Sequence, residues 1–187
     1  MLAYVFWHRR KHEFSRDEYE DKLKQFHVTL NRSNLEGFNG SLVARITGAT
    51  WLRSESDAYE DWYLMKGSEV LDRLNETAVN GVRKEPHDDI ARLATDFKGG
   101  LYQLKTGVHS SITNEFALWL SKPFSTSYEA FYKNVAQYQT NGSVLWRRQM
   151  TLGPTPEFCL ISPLRPVVPA ELEPIPVSRQ VIWKSIF

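Results

Sequence analysis

Phe14-Ser15-Arg16-Asp17-Glu18, where a strand-like run ends and a helix opens, has a counterpart 110 positions downstream in Phe124-Ser125, again between an apolar run and a helical stretch. Working outward from the first pair, residues 2–9 are rich in aromatic and branched side chains and read as a strand. Ser15 and Glu18 then form an S-x-x-E capping box that opens a helix over 17–32. Tyr19, Leu23, Phe26 and Leu30 give that helix one apolar stripe. Outward from the second pair, residues 115–121 read as a strand and 127–137 as a helix. A strand-helix unit met twice predicts two similar modules that bury each other's open faces.

The intervening sequence completes the first module. Residues 37–48 read as a strand in which Leu42, Ala44 and Ile46 alternate with Val43, Arg45 and Thr47, and residues 58–65 read as a third strand. A helix follows over 70–80, stopped by Gly81, and a short helix starts at Pro86-His87-Asp88-Asp89 and runs to about Phe97. Gly99-Gly100 is expected to break it before a fourth strand over 101–105. The second half repeats strand, helix, strand (143–151) and strand (157–162), the last two joined by the Gly153-Pro154-Thr155-Pro156 turn. Its second helix is missing: Pro163, Pro166, Pro169, Pro174 and Pro176 force an extended path, after which 178–187 returns as a last strand. The modules are placed at 1–108 and 109–187, with 163–176 as the proline-rich segment of the latter.

A four-stranded antiparallel sheet with helices on one side leaves its other face open. If ~600 Å² of that face is apolar, leaving it wet forfeits on the order of 15 kcal/mol, more than most domains have to spare. A second module can cover it, which predicts an α+β fold of tandem ferredoxin-like modules closed into an intrachain α/β barrel. In element order, and in the strand Tyr59-Glu60-Asp61-Trp62-Tyr63, the chain resembles the dimeric α/β-barrel superfamily, here with both modules in one polypeptide. The resemblance covers nearly the whole sequence and implies a small-molecule-binding barrel. Members of that superfamily include cofactor-free oxygenases, lactone isomerases, haem-dependent dismutases and peroxidases, and regulatory ligand-binding domains, so fold alone names no reaction.

Composition narrows the partners. With 23 Lys and Arg against 22 Asp and Glu, the formal charge of +1 supplies no field to recruit nucleic acid or an anionic membrane. No apolar run approaches the ~18 to 20 residues that span a bilayer, and the N-terminal run carries its charges after the apolar residues, unlike a secretory signal. The single cysteine, Cys159, forms no intrachain disulfide, so a cytoplasmic location is expected, with a homo-oligomer left open. Aromatics are unusually abundant, at six Trp, eight Tyr and ten Phe, enough to fill a core or to line a pocket. There is no G-x-G-x-x-G, Walker loop, G-x-S-x-G elbow or C-x-x-C, which removes dinucleotide, nucleoside triphosphate, serine-hydrolase and dithiol chemistry.

Strand alternation sorts the site candidates by face. If Trp62 packs beneath the helices, Tyr59, Asp61 and Tyr63 face the space between the sheets, together with Val43, Arg45 and Thr47 and with Val5, Trp7 and Arg9. Asp61 or His87 is the expected catalytic base, Arg45 the holder of an anionic group, and Tyr59, Tyr63 and Trp7 the residues that stack or hydrogen-bond with a small organic ligand. An Arg45-Asp61 pair buried for structural reasons is the competing reading. No metal site or cofactor is expected; a haem-binding barrel with His87 or His109 as axial ligand, and a non-catalytic sensing or assembly module with a filled lumen, are the alternatives. His8 and His12 read as a solvated edge, His27 as helix packing or surface, Cys159 as inert core, and Glu157 as the cross-strand ion-pair partner of an arginine in Arg147-Arg148.

Overall fold

Branched and aromatic residues make Leu2–Arg10 the first strand, β1. In the computed structural model, which describes residues 1–53, 57–150 and 152–186, the Ser15 hydroxyl accepts from the Glu18 backbone N–H at 3.1 Å and caps α1 (Arg16–Asn31). Then come β2 (Phe38–Thr47), β3 (Ala58–Met65), α2 (Leu71–Ala78), α3 (Lys84–Leu93) and β4 (Ala94–Thr106). The second half runs β5 (Phe116–Leu120), α4 (Tyr128–Ala136), β6 (Val144–Gln149), β7 (Phe158–Ser162) and β8 (Ile175–Ile186). Ser127 caps α4 as Ser15 caps α1, accepting from the Ala130 N–H at 3.2 Å. The expected strand ends at Thr151 and Phe187 lie outside the described residues.

One expected boundary is wrong. Gly99-Gly100 lies inside β4, which starts directly after α3. The two glycines pair with Phe6 and Val5 of β1, and a Cβ on Gly99 would sit 2.7 Å from the Tyr4 hydroxyl, one on Gly100 2.9 Å from the Tyr102 ring. They make room for rings within the strand and do not break it.

The eight strands form a closed antiparallel barrel in the order β1-β3-β2-β8-β5-β7-β6-β4. Each half contributes a contiguous set in the same order, β4-β1-β3-β2 and β8-β5-β7-β6, which is the ferredoxin-like arrangement met twice. The seams are β2 against β8 and β4 against β6, so the second strand of each half pairs with the fourth strand of the other, and no sheet edge is left open. Helices α1 to α3 cover the outer face of the first half, where Tyr19, Leu23, Phe26 and Leu30 meet Val43, Tyr63 and Met65. On the second half α4 is the one α-helix among the described residues and lies beside the proline-rich strap. Leu172 of the strap is buried against Phe131, Val135 and Phe158, and its carbonyl accepts from the Ser121 N–H at 2.8 Å. The missing helix is therefore replaced by a strap with one short 3-10 turn (Ala170–Leu172) that packs Leu172 and Val168 against the second half.

The β2–β8 seam makes a direct prediction. Gly40 has φ +103°, and a Cβ there would fall 1.9 Å from the Ser185 carbonyl oxygen. Gly40→Ala is expected to cost about 1 to 3 kcal/mol, read as a lower urea midpoint with an unchanged slope.

Candidate functional site

Cross-strand partners share a face of the sheet, so the register decides which residues look inward. Val5 of β1 pairs with Trp62 of β3 and Trp7 with Glu60, while Tyr4, Phe6 and His8 pair with Tyr63, Asp61 and Tyr59. The first set lines the lumen and the second lies beneath the helices. This reverses the expected facing of β3: Trp62 is inside the barrel, and Tyr59, Asp61 and Tyr63 are outside it. On β2, likewise, Leu42, Ala44 and Ile46 are inside and Val43 is outside. Val5 and Trp7 do face inward as expected. The cause is that all eight residues of β3 are buried, so alternation of polarity along it carries no information about which face is which.

The lumen is packed. Trp7, Trp62, Trp119, Trp146 and Tyr102 are fully buried there, with Trp7 edge-on to Trp119 at 5.5 Å and to Tyr102 at 6.0 Å, and Trp62 against Trp146 at 5.4 Å. Among them lies a buried ion pair the sequence reading passed over, Arg179 of β8 with Glu60 of β3. Cys159 is in the same core, and burial together with Glu60 pushes its thiol well up, so it is no nucleophile.

A cavity of about 630 Å³ opens instead between the outer face of β1 and β3 and helices α1 to α3. Tyr4, Phe6, Tyr63 and Phe97 form one wall of near-parallel rings, with centroids 5.7 to 6.2 Å apart from Phe97 to Phe6 to Tyr4 to Tyr63. Leu74 and Ala78 of α2, Ile90 of α3 and Phe26 of α1 face it. This size and lining suit a small organic ligand.

Asp61 and His8 also line it. Asp61 Oδ2 lies 3.2 Å from His8 Nε2 and 3.3 Å from His27 Nε2, and accepts from the Tyr63 hydroxyl at 3.2 Å; the His8 approach is at ion-pair distance without hydrogen-bond alignment. His27 Nδ1 meets the Ser41 hydroxyl at 2.7 Å, and His8 Nδ1 meets the Tyr19 hydroxyl. The His8, His27 and Tyr63 contacts to Asp61 all fall on one carboxylate oxygen. The other, Oδ1, is buried and has no hydrogen-bond partner among the described residues. Burial alone would raise the Asp61 pKa, but the nearby His8 and His27 outweigh it and hold the carboxyl well below the usual carboxylate range. The phenols go the other way: burial, then the Asp61 charge, pushes Tyr4, Tyr19 and Tyr63 up. At neutral pH the cluster is a fixed carboxylate among phenols that keep their protons.

Of the six expected site residues, Asp61, Tyr63 and His87 line this one cavity. His87 stands half-buried at its mouth, with Nδ1 3.1 Å from Asp88 Oδ1. The other three do not join them. Trp7 lies across the sheet in the lumen. Tyr59 is buried against Tyr19 and donates to Glu20 at 3.2 Å. Arg45 pairs with Glu20 at 2.9 Å, so the Arg45-Asp61 pair does not form, and it borders a separate depression with Arg9, Arg16 and Asp57. His8, expected at a solvated edge, is instead buried beside Asp61, whereas His27 packs from its helix as expected and also meets Asp61. Both had a signal: His8 alternates with Tyr4 and Phe6, and His27 falls eight residues after Tyr19, on the same helical stripe. Arg147 and Glu157 form the expected cross-strand ion pair at 2.8 Å. Among the described residues no group of three or more His, Cys, Asp or Glu is placed to hold a metal ion, and no helix is long and apolar enough to cross a membrane.

No family model matches the chain, and no curated protein matches it. Solved structures do. An anthrone oxidase-like protein superposes with TM-score 0.58 at 10% identity, covering 99% of this chain and 92% of its own. A chlorite dismutase candidate gives 0.52 at 12%, covering 97% and 95%. A candidate monooxygenase from Lactobacillus acidophilus gives 0.50 at 11%, covering 95% and 76%. At these identities the likeness is one of fold, and it extends over nearly the whole chain. Together with the repeated strand order and the two closing seams, it shows that the chain shares with them an α+β fold built on a closed antiparallel barrel, here formed within a single polypeptide.

Proposed function

We propose that the chain binds a small organic molecule in the cavity between β1 and β3 and helices α1 to α3, and acts on it as a cofactor-free oxygenase or isomerase. The observation that carries the reading is the ring-lined cavity of about 630 Å³ with Asp61, His8 and His87 among the residues that line it. Held below the usual carboxylate range, Asp61 is a weak proton acceptor and a strong hydrogen-bond acceptor, so its part is to anchor the ligand. Proton transfer then falls to His87 at the mouth, whose Nδ1 faces Asp88. The oxygenase class is the one that the anthrone oxidase-like and monooxygenase-candidate folds suggest. We place the site in the module over 1–108, and one ligand per chain follows, because in the module over 109–187 the strap fills the corresponding side of the sheet with Leu172.

Native mass spectrometry of gently purified protein tests the site. A co-purifying small molecule is expected in the parent and absent from Ala78→Trp, which fills the cavity from α2; retention by the variant would move the site elsewhere. With a substrate in hand, His87→Gln is expected to lower kcat by roughly a hundredfold or more with binding kept, and an unchanged rate would remove His87 from the chemistry. Ligand capture without turnover would favour the sensing module. The haem alternative is favoured by one feature, the imidazole of His87 oriented by Asp88 at the cavity mouth; His109 does not line the cavity among the described residues. A Soret band in protein made with iron and haem precursor supplied would support it, and its absence would discard it.

A further inference from the structure

We infer that Tyr4 fixes the polar group of the ligand: the cavity takes a ring-bearing molecule with an oxygen that accepts a hydrogen bond from the Tyr4 hydroxyl. The inference rests on the assignment of the cavity as the ligand site and names the contact that selects the ligand there. The polar side chains that β1 and β3 bring to the cavity are Tyr4, His8, Asp61 and Tyr63. Three of them are taken up by one another. His8 and Asp61 are each 2% exposed, Asp61 Oδ2 is met by His8 and His27, and the Tyr63 hydroxyl donates to the same oxygen. On the helical side Asp72 and Asn75 of α2 are exposed, and His87 stands at the mouth.

Tyr4 differs from its neighbours. Its ring is only partly buried, with Phe6 at 6.2 Å on one side and Tyr63 at 6.1 Å on the other. Its hydroxyl makes no hydrogen bond to any described residue, yet it is not sealed from water, so it opens on the cavity that Tyr4 lines. β4 clears the space for it: a Cβ on Gly99 would come within 2.7 Å of the hydroxyl and 3.2 Å of the ring. A glycine inside a strand marks such a close approach. Burial, and then the Asp61 charge, push the Tyr4 phenol up, so it keeps its proton and can donate it. A ligand that displaces water from this hydroxyl without an acceptor of its own loses a hydrogen bond, and one that brings an acceptor keeps it. The ring faces on either side favour a flat apolar body around that oxygen.

Two probes of one shape decide it: acetonaphthone, and isopropenylnaphthalene, in which a methylene group stands where the ketone oxygen was. Dissociation constants are measured by ligand-observed NMR against the unmodified full chain and against Tyr4→Phe, which removes the hydroxyl and keeps the ring. The variant is expected to bind acetonaphthone roughly three- to tenfold more weakly, the worth of one neutral hydrogen bond, and isopropenylnaphthalene within about twofold of the parent, which also reports that the wall is intact. Gly99→Ala, with a methyl group pressed against the hydroxyl, should weaken acetonaphthone more than its isostere. Equal effects of Tyr4→Phe on the two probes would overturn the inference while leaving the site in place. Ala78→Trp should release both probes; their retention by that variant, or failure of both to bind the parent, would overturn the site assignment and the inference with it.

Discussion

Arg179→Leu is expected to lower stability by about 3 to 5 kcal/mol. Arg179 is 4% exposed and its ion-pair partner Glu60 not at all. The guanidinium binds Glu60 from β8, donates to the Ile112 and Asn114 carbonyls between β4 and β5, and lies 5.9 Å over the Trp62 ring. Trp7 adds a donor to the second Glu60 oxygen at 3.4 Å. Leucine would leave a carboxylate unpaired in a lumen packed with indoles, and two carbonyls without their donor. The contact also joins the two halves, since Glu60 belongs to β3 and Arg179 to the last strand. The double variant Glu60→Leu/Arg179→Leu should recover much of the loss, because a buried pair replaced as a unit removes both desolvation costs. It should not recover all, because the Ile112 and Asn114 carbonyls stay unpaired. Urea unfolding of both singles and the double measures the coupling. A single-variant loss below about 1 kcal/mol, the range of exposed pairs, would mean that the lumen is wet.

Asp61→Asn is expected to cost about 3 kcal/mol at neutral pH, with a pH dependence that identifies the cause. The carboxyl has a lower pKa in the fold than in the unfolded chain, so its contribution is fully present above the ordinary value of about 4 and is lost as pH falls below that toward the folded value. The difference in stability between parent and variant should therefore narrow steadily as pH falls below about 4. Comparison with the variant isolates Asp61 from Asp57 and Asp96, which are also held low by their partners and act equally in both proteins. A pH-independent difference would show that Asp61 contributes by shape and neutral hydrogen bonding, and would end its role as a charged anchor.

Local chemistry carried much of the fold. Ala58–Met65 is the strand the sequence predicts, because its flanks and β-formers are local signals. Ser15 and Ser127 cap their helices through backbone amides three residues away. Five prolines are enough to forbid a second helix in the later half. The site was legible only as a set of residue types. Asp61, Tyr63 and His87 do line one cavity; Tyr59 and Arg45 share their face of the sheet but are taken up by Glu20, and Trp7 was put on that face by strand parity alone. Parity cannot rank two faces that are both buried, as they are along all of β3. His8 and His27 were read without Asp61, because alternation and the helical stripe give the face of a residue but not the carboxylate that meets it from another element.

What the sequence alone determined is the list of elements, their order and the absent helix, since caps, periodicity and turn residues act within a few positions of one another. Only the tertiary structure decided which face of β3 looks inward, because that depends on the pairing of Trp7 with Glu60 across 53 residues and on Arg179 arriving from 119 residues away to neutralise it. Once Glu60 is taken into the lumen by that arginine, its neighbour Asp61 must point the other way, beneath α1, where His8 and His27 receive it. The location of the cavity follows from that one choice of side.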